Sequence, residues 1–182
     1  SKKFLEVAKK KYLNQAHFVL GDMRDFKLNM EFNFIFIGFN SFLHNLTLID
    51  AKNCLRCVSE HLEVEGKFLL SIFIPDPSFL YRDSKTLHPA TSFFQYKNTK
   101  CRIMESNEYD DESQINKLTW CLEKNGKIMP DEYHYGMRMY YPHEMDILLG
   151  ESNFRIEEKI GNYDGSPMDA KSGMQIYICG KS

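Results

Sequence analysis

The sequence predicts an α/β fold: a largely parallel sheet with helices packed on it, interrupted by a small antiparallel β insertion. Three observations predict it. Phe32-Asn33-Phe34-Ile35-Phe36-Ile37-Gly38-Phe39 is a short, nearly continuous apolar and aromatic run, the pattern of a strand buried on both faces of a parallel sheet. A second apolar run, Lys67 to Ile74, follows one helical segment later, and strand–helix–strand order calls for a right-handed crossover and a parallel pair. Between Cys101 and Tyr141 the pattern changes to three strand-like segments, two of them joined at Asn125-Gly126, a strong hairpin signal.

Taken in order, Lys2 to Leu13 reads as an amphipathic helix, with Phe4, Leu5, Ala8, Tyr12 and Leu13 on one side and lysines on much of the other. Ser1 would be its N-cap. A chain that opens on a helix N-cap looks cut. His17 to Leu20 is expected as a short strand and Gly21 to Met30 as a loop. After the central strand, Asn40 and Ser41 are good N-cap residues for a helix beginning there. A helix from about Leu48 to Leu62 has Ile49, Cys54, Leu55, Val58 and Leu62 as its main apolar positions. It ends in a Glu65-Gly66 turn, where Gly66 can take positive φ. Pro75-Asp76-Pro77 stops the next strand. In the insertion, Arg102–Tyr109, Gln114–Glu123 and Glu132–Tyr140 are the expected strands. Pro142 then starts a helix to about Leu149. Phe154–Tyr163 is a strand, Asp164 to Gly173 a loop, and Met174–Cys179 a final strand.

At 182 residues the chain is expected to be a single domain (1–182) with the insertion at 91–141. Hydrophobic residues make up 43% and charged residues 26%, a globular composition rather than a disordered one. A net charge of −2 gives no electrostatic reason for nucleic acid or an anionic membrane as partner. No apolar run approaches a membrane span in length. Five scattered cysteines, an odd number, fit a reducing compartment, so a cytoplasmic location is expected. Asn45-Leu46-Thr47 matches a glycosylation acceptor but has no secretory signal before it.

In open α/β sheets ligands sit beyond the carboxyl ends of the strands. Phe39-Asn40-Ser41-Phe42-Leu43-His44 and the acidic turn Gly21-Asp22-Met23-Arg24-Asp25-Phe26 are therefore the places to look for a site. On the residues alone, Gly-Asp after a strand is a turn, and Arg24 and Asp25 cap or solvate it. His44 lies one helical turn on from Asn40, so it shapes a pocket, acts as a base, or is a satisfied structural histidine. His134, Arg138 and Tyr140 alternate onto one face of the last insertion strand, with Tyr135 on the other. Cys54-Leu55-Arg56-Cys57 falls inside a helix with no second pair, which reads as core packing rather than a metal site. Asp110-Asp111-Glu112 lacks the ligand spacing of a calcium loop.

Order and residues together resemble class I S-adenosylmethionine-dependent methyltransferases of the small-molecule type. The resemblance rests on Ser1 to Ala8, Gly21-Asp22-Met23-Arg24-Asp25, Phe39 to His44, Leu62-Glu63-Val64-Glu65-Gly66-Lys67-Phe68, Tyr141-Pro142-His143-Glu144-Met145 to Phe154, and Gly161 to Pro167. It implies a Rossmann-like methyltransferase sheet whose last strand is antiparallel, with S-adenosylmethionine as cofactor and a small-molecule methyl acceptor. It assigns Asp22 to the adenine amino group, the Met23 backbone to the ring edge, the Phe39 carbonyl to the cofactor's amino group, and Asn40 or Ser41 to the sulfonium and substrate. His134 and His44 become candidate catalytic bases, and Arg138 and Tyr140 candidate substrate contacts, with the insertion over the substrate side.

The family's glycine-rich turn and the acid that holds the ribose would both precede Ser1. The resemblance therefore implies an N-terminally truncated form, in which the central strand becomes an exposed edge. That edge is expected to be covered by a partner molecule, a homodimer being one arrangement, or by re-registered structure. Two other functions stay open: a non-catalytic methyltransferase-like binding or assembly protein, and a nucleotide-dependent oxidoreductase, for which Tyr81 and Lys85 have the Tyr-x-x-x-Lys spacing. No glycine-rich turn precedes that pair.

Overall fold

The structure, a computed structural model, describes residues 1–12 and 15–182; Leu13, expected on the apolar side of the first helix, lies outside the described residues. Helix α1 (Lys2–Tyr12) carries Lys9, Lys10 and Lys11 in its last turn and has no fully buried residue. Strand β1 (Phe32–Ile37) leads through a 3₁₀ turn (Ser41–His44) to α2 (Leu48–His61) and β2 (Leu62–Phe73). A short helix α3 (Pro77–Leu80) follows, its Asp76 cap accepting the Ser78 N–H at 2.8 Å. Then come β3 (His88–Pro89), β4 (Phe94–Tyr96), β5 (Thr99–Asp110), β6 (Ile115–Lys124) and β7 (Lys127–Arg138). The chain closes with α4 (Pro142–Glu151), β8 (Phe154–Ile160) and β9 (Met174–Lys181).

One sheet has the order β1-β2-β9-β8. β1 and β2 are parallel, as the crossover required, and β9 runs antiparallel between β2 and β8. The expected antiparallel last strand is therefore present. Phe68, Leu70, Ile72, Tyr177 and Cys179 of this sheet form one core with Cys54, Leu55 and Val58 of α2 and Met145, Leu148 and Leu149 of α4. β3 to β7 form a second, wholly antiparallel sheet. Its β6–β7 hairpin turns at Asn125 (φ 47°) and Gly126 (φ 80°), the paired positive φ of a type I′ turn. Pro130 falls where the β6–β7 register shifts, on an edge strand, the one place in a sheet that tolerates a missing N–H.

Leu118, Met137, Met139 and Tyr140 join the second sheet to the common core. The Asn107 amide donates to the Leu80 carbonyl (3.1 Å) and Arg82 pairs with Glu105 (2.6 Å), tying this sheet to the segment after β2.

Several local expectations are corrected. β1 is buried on one face only: Phe34 and Phe36 are 52% and 63% exposed. The strand lies at a sheet edge, and its sequence does not encode that position. No strand of the described residues pairs along the outer edge of β1, so re-registered structure does not cover it. His17 to Leu20 form no strand, because an apolar segment becomes a strand only where a neighbouring strand completes its hydrogen bonds. Ile49 is exposed rather than in the α2 core.

Gly66 lies within β2 and does not have positive φ. Between the pairs Phe32↔Leu62 and Phe34↔Lys67 the β2 chain bulges out, and a Cβ on Gly66 would meet Leu62 Cδ1 at 2.9 Å and the Glu63 carbonyl at 3.0 Å. Gly66 is required for close approach, not for its dihedral.

Candidate functional site

The acidic turn is built from the backbone outward. Asp25 N–H donates to the Asp22 carbonyl (3.2 Å), closing a tight loop that presents the Asp22 side chain. Arg24 grips that carboxylate as a fork, with Nε on Oδ1 at 2.9 Å and Nη2 on Oδ2 at 2.7 Å, while its backbone N–H also reaches Oδ1 at 3.0 Å. The side-chain and backbone hydrogen bonds from Arg24 hold the Asp22 carboxyl down to about 2, so the group is a carboxylate at neutral pH. The loop is seated on α2 by three further contacts. Leu28 N–H donates to His61 Nε2 (2.8 Å), Phe26 packs on the His61 ring (4.7 Å between centroids), and the Cys57 thiol reaches the Arg24 carbonyl (3.5 Å).

At the end of β1 the chain reverses sharply. Phe39 (φ 53°) and Asn40 (φ 60°) are consecutive left-handed residues, and Phe39 is 94% exposed. A bulky residue at positive φ is uncommon and concentrates at functional turns. Asn40 makes no side-chain cap; its Oδ1 instead accepts the Phe73 N–H at 2.9 Å, stitching the ends of β1 and β2 together. The segment after Asn40 is therefore a single 3₁₀ turn and not the start of a longer helix, because the left-handed Asn40 directs the chain away from α-helical geometry.

That turn buries Phe42 and Leu43 and leaves His44 exposed. His44 Nδ1 lies 3.2 Å from the Gly136 carbonyl. Since a carbonyl only accepts, this contact assigns the proton to Nδ1 and leaves Nε2 as a free acceptor. Asn45 is buried, its amide donating to the Phe42 carbonyl (2.9 Å) and reaching Met23 Sδ (3.5 Å), while its carbonyl accepts the Tyr140 hydroxyl. Gly21, Asp22, Met23, Arg24, His44 and Asn45 together line a cleft of about 330 Å³.

A larger cleft of about 630 Å³, with Leu46 in its lining, lies against the antiparallel sheet. Across it the register sets Ser106, Thr119 and His134 in one row, and Glu108, Lys117 and Gly136 in the next. Gly136 leaves the second row open: a Cβ there would meet the Leu46 side chain at 3.4 Å. His134 Nδ1 is 2.9 Å from the Thr119 hydroxyl, and its Nε2 is 3.4 Å from Glu132. Both ring nitrogens are thus engaged.

Of the residues singled out from sequence, the structure brings Asp22, Met23 and His44 to one cleft and His134 to the neighbouring one. Phe39, Asn40 and Ser41 stand at the sharp turn between β1 and the 3₁₀ segment, and they line neither cleft. Arg138 and Tyr140 turn inward: Arg138 is buried, pairing with Glu144 (2.7 Å) and Gln114 (2.6 Å), and Tyr140 is fully buried. The apolar core claims Tyr140, and Glu144 and Gln114 claim Arg138. Sequence reasoning missed Asn45 and gave Arg24 only a capping role. The signal for Arg24 was a basic side chain two residues from an acidic one in a turn, a spacing that permits the fork.

Among the described residues no cluster of three His, Cys, Asp or Glu could hold a metal ion, and no helix is long and apolar enough to cross a membrane. The five cysteines are free and buried; burial pushes the Cys54 thiol up to about 12, which fits core packing.

No family model matches the chain, and no curated protein sequence matches it significantly. Solved structures do. An S-adenosylmethionine-dependent methyltransferase from Clostridium acetobutylicum superposes with TM-score 0.78 at 18% identity, over 100% of this chain and 72% of the other. The chain has the class I methyltransferase fold. CalS10, an amino pentose methyltransferase from Micromonospora echinaspora solved with S-adenosylmethionine bound, superposes with TM-score 0.70 at 13% identity, over 100% of this chain and 71% of that one. The sugar N-methyltransferase KedS8 from Streptoalloteichus gives TM-score 0.70 at 12% identity, over 97% and 67%. The Rossmann-like sheet expected from sequence is thereby established.

Proposed function

We propose that the protein transfers a methyl group from S-adenosylmethionine to a small polar acceptor. The observation that carries this reading is an acidic cleft lined by Asp22, Met23 and His44, whose His44 reaches Gly136 in the lining of a polar groove on the antiparallel sheet. The ends of β1 and β2 are where an open α/β sheet presents its ligands. Solved proteins of the same fold are named as sugar or amino pentose methyltransferases, which supports a sugar-like acceptor.

The residues present suit the cofactor's purine end: Asp22, a carboxylate at neutral pH, accepts an amino N–H, and Met23 offers an apolar wall. When bound, the cofactor supplies a methyl group on a positively charged sulfur, transferred in one in-line displacement. This chain's part is to align the acceptor and exclude water, so proximity supplies much of the rate. His44 takes the acceptor's proton on Nε2, with Nδ1 held by the Gly136 carbonyl. His134, with both nitrogens engaged, orients the acceptor instead. Asn40 holds the β1 turn in place, the Phe39 carbonyl meets the cofactor's amino group, and Ser41 faces the sulfonium and the acceptor. The antiparallel sheet covers the acceptor, and a second copy pairs along the free edge of β1.

Calorimetry with S-adenosylmethionine tests the reading, on residues 1–182 and, should coding sequence precede Ser1, on the chain extended by it. Binding to either supports it. No binding to either sinks it and favours a non-catalytic binding protein.

A further inference from the structure

We propose that Arg24 is a positioning residue for purine recognition: its guanidinium orients the Asp22 carboxylate and so sets the preference for a 6-amino over a 6-oxo purine. This rests on the reading that Asp22 meets the cofactor's adenine. An aspartate on an exposed turn rotates freely about its side-chain bonds, and a freely rotating acceptor discriminates poorly. Here it is not free. Three donors of Arg24 converge on it, two at Oδ1 and one at Oδ2. A carboxylate has about four acceptor positions, so Oδ2 keeps one open for an incoming N–H.

The far side of Arg24 is anchored as well. Nη1 donates to Asp50 Oδ1 at 3.0 Å. Asp50 belongs to the first turn of α2, where Oδ2 accepts the Thr47 hydroxyl (2.8 Å) and its N–H donates back to Thr47 Oγ1 (3.0 Å). A continuous run of hydrogen bonds therefore joins the α2 N-terminus to the Asp22 carboxylate. Both ion pairs are partly exposed and add little to stability. What a planar bidentate fork supplies is direction.

The charge on Asp22 completes the selection. A 6-amino group donates to the carboxylate, whereas a 6-oxo group turns its lone pairs towards it. Removing the Arg24 side chain leaves the loop seated, because its anchors to α2 use the Arg24 carbonyl, the Leu28 N–H and the Phe26 ring.

The test is calorimetry with S-adenosylmethionine and its 6-oxo counterpart S-inosylmethionine, on whichever chain length binds. The wild type favours the adenosyl form. Arg24→Ala reduces that preference about tenfold, the size of one charge-assisted hydrogen bond, chiefly by weakening the adenosyl form. Arg24→Lys restores part of it, as a point charge without a fork. An NMR titration of the Asp22 carboxyl rises towards the ordinary aspartate range in Arg24→Ala.

An unchanged preference in Arg24→Ala, an equal loss for both ligands, or an unmoved Asp22 titration overturns the proposal. Asp22→Asn separates this from a failure of the underlying reading. If that variant keeps the wild-type preference, or if neither ligand binds any form, Asp22 is not the purine reader and both fall.

Discussion

β1 and β2 lie side by side and are written in nearly the same alphabet, yet they live in different environments. Phe-Asn-Phe-Ile-Phe-Ile and Lys-Phe-Leu-Leu-Ser-Ile-Phe are both apolar runs with one polar interruption. In β2, Phe68, Leu70 and Ile72 have no solvent exposure; in β1, Phe34 and Phe36 keep more than half of theirs. The difference is one of position. β2 has β1 on one side and β9 on the other, with the α2 and α4 residues of the core packed against it, whereas β1 ends the sheet. Apolar content reports that a strand is built to be covered, and says nothing of what covers it.

The largest expected effect breaks the comparison at its buried end. Leu70→Ala removes a fully buried side chain from the centre of the core and lowers stability by about 2–5 kcal/mol in denaturant unfolding. Phe36→Ala, a larger truncation on the neighbouring strand, changes it by only about 0.5 kcal/mol when the protein is dilute. Equal losses would mean that the open face of β1 is covered after all.

A second effect of intermediate size tests how the two strands are joined. Gly66→Ala places a methyl group against Leu62, which is fully buried, and against the Glu63 carbonyl. The bulge that sets the β1–β2 register has to shift, at a cost of about 1–3 kcal/mol. Thermal unfolding of this variant measures that cost; a change below about 0.5 kcal/mol would show that the bulge has room for the methyl group.

That glycine shows where the sequence was legible and where it was not. Elements that carry their own punctuation were readable: Pro142 opening α4, Asn125-Gly126 between β6 and β7, and the Pro75-Asp76-Pro77 stop. So was the order of elements, and with it the fold. Features decided by distant neighbours were not. Asn40 reads as a cap until β2 supplies the Phe73 N–H, and Arg138 reads as a surface cation until Glu144 arrives from α4. Phe18 to Leu20 have strand composition but no strand beside them. The candidate site divides the same way: Asp22 and His44, which line one cleft, could be singled out because turns and strand ends are local signals, whereas the places of Asn45 and Arg24 and the two clefts depend on packing.

The smallest effect on stability is expected at the open edge, and there the readout is association. β1 between Phe32 and Ile37 has no charge, no proline and no bulge on its outer side, the devices that usually guard an edge. Two copies paired antiparallel about Ile35 would set Phe34 of each opposite Phe36 of the other, extending the sheet and bringing the exposed rings together. Sedimentation velocity should therefore show self-association that rises with concentration. Phe34→Lys should abolish it while leaving the unfolding midpoint within about 0.5 kcal/mol of wild type, since a long charged side chain on an exposed face costs little. Val64→Lys, at a more exposed position on β2 rather than on the edge strand itself, should leave association unchanged. A wild-type chain that stays monomeric throughout would show that a second copy is not what β1 is built to meet, and the difference between the two strands would then point to another covering segment.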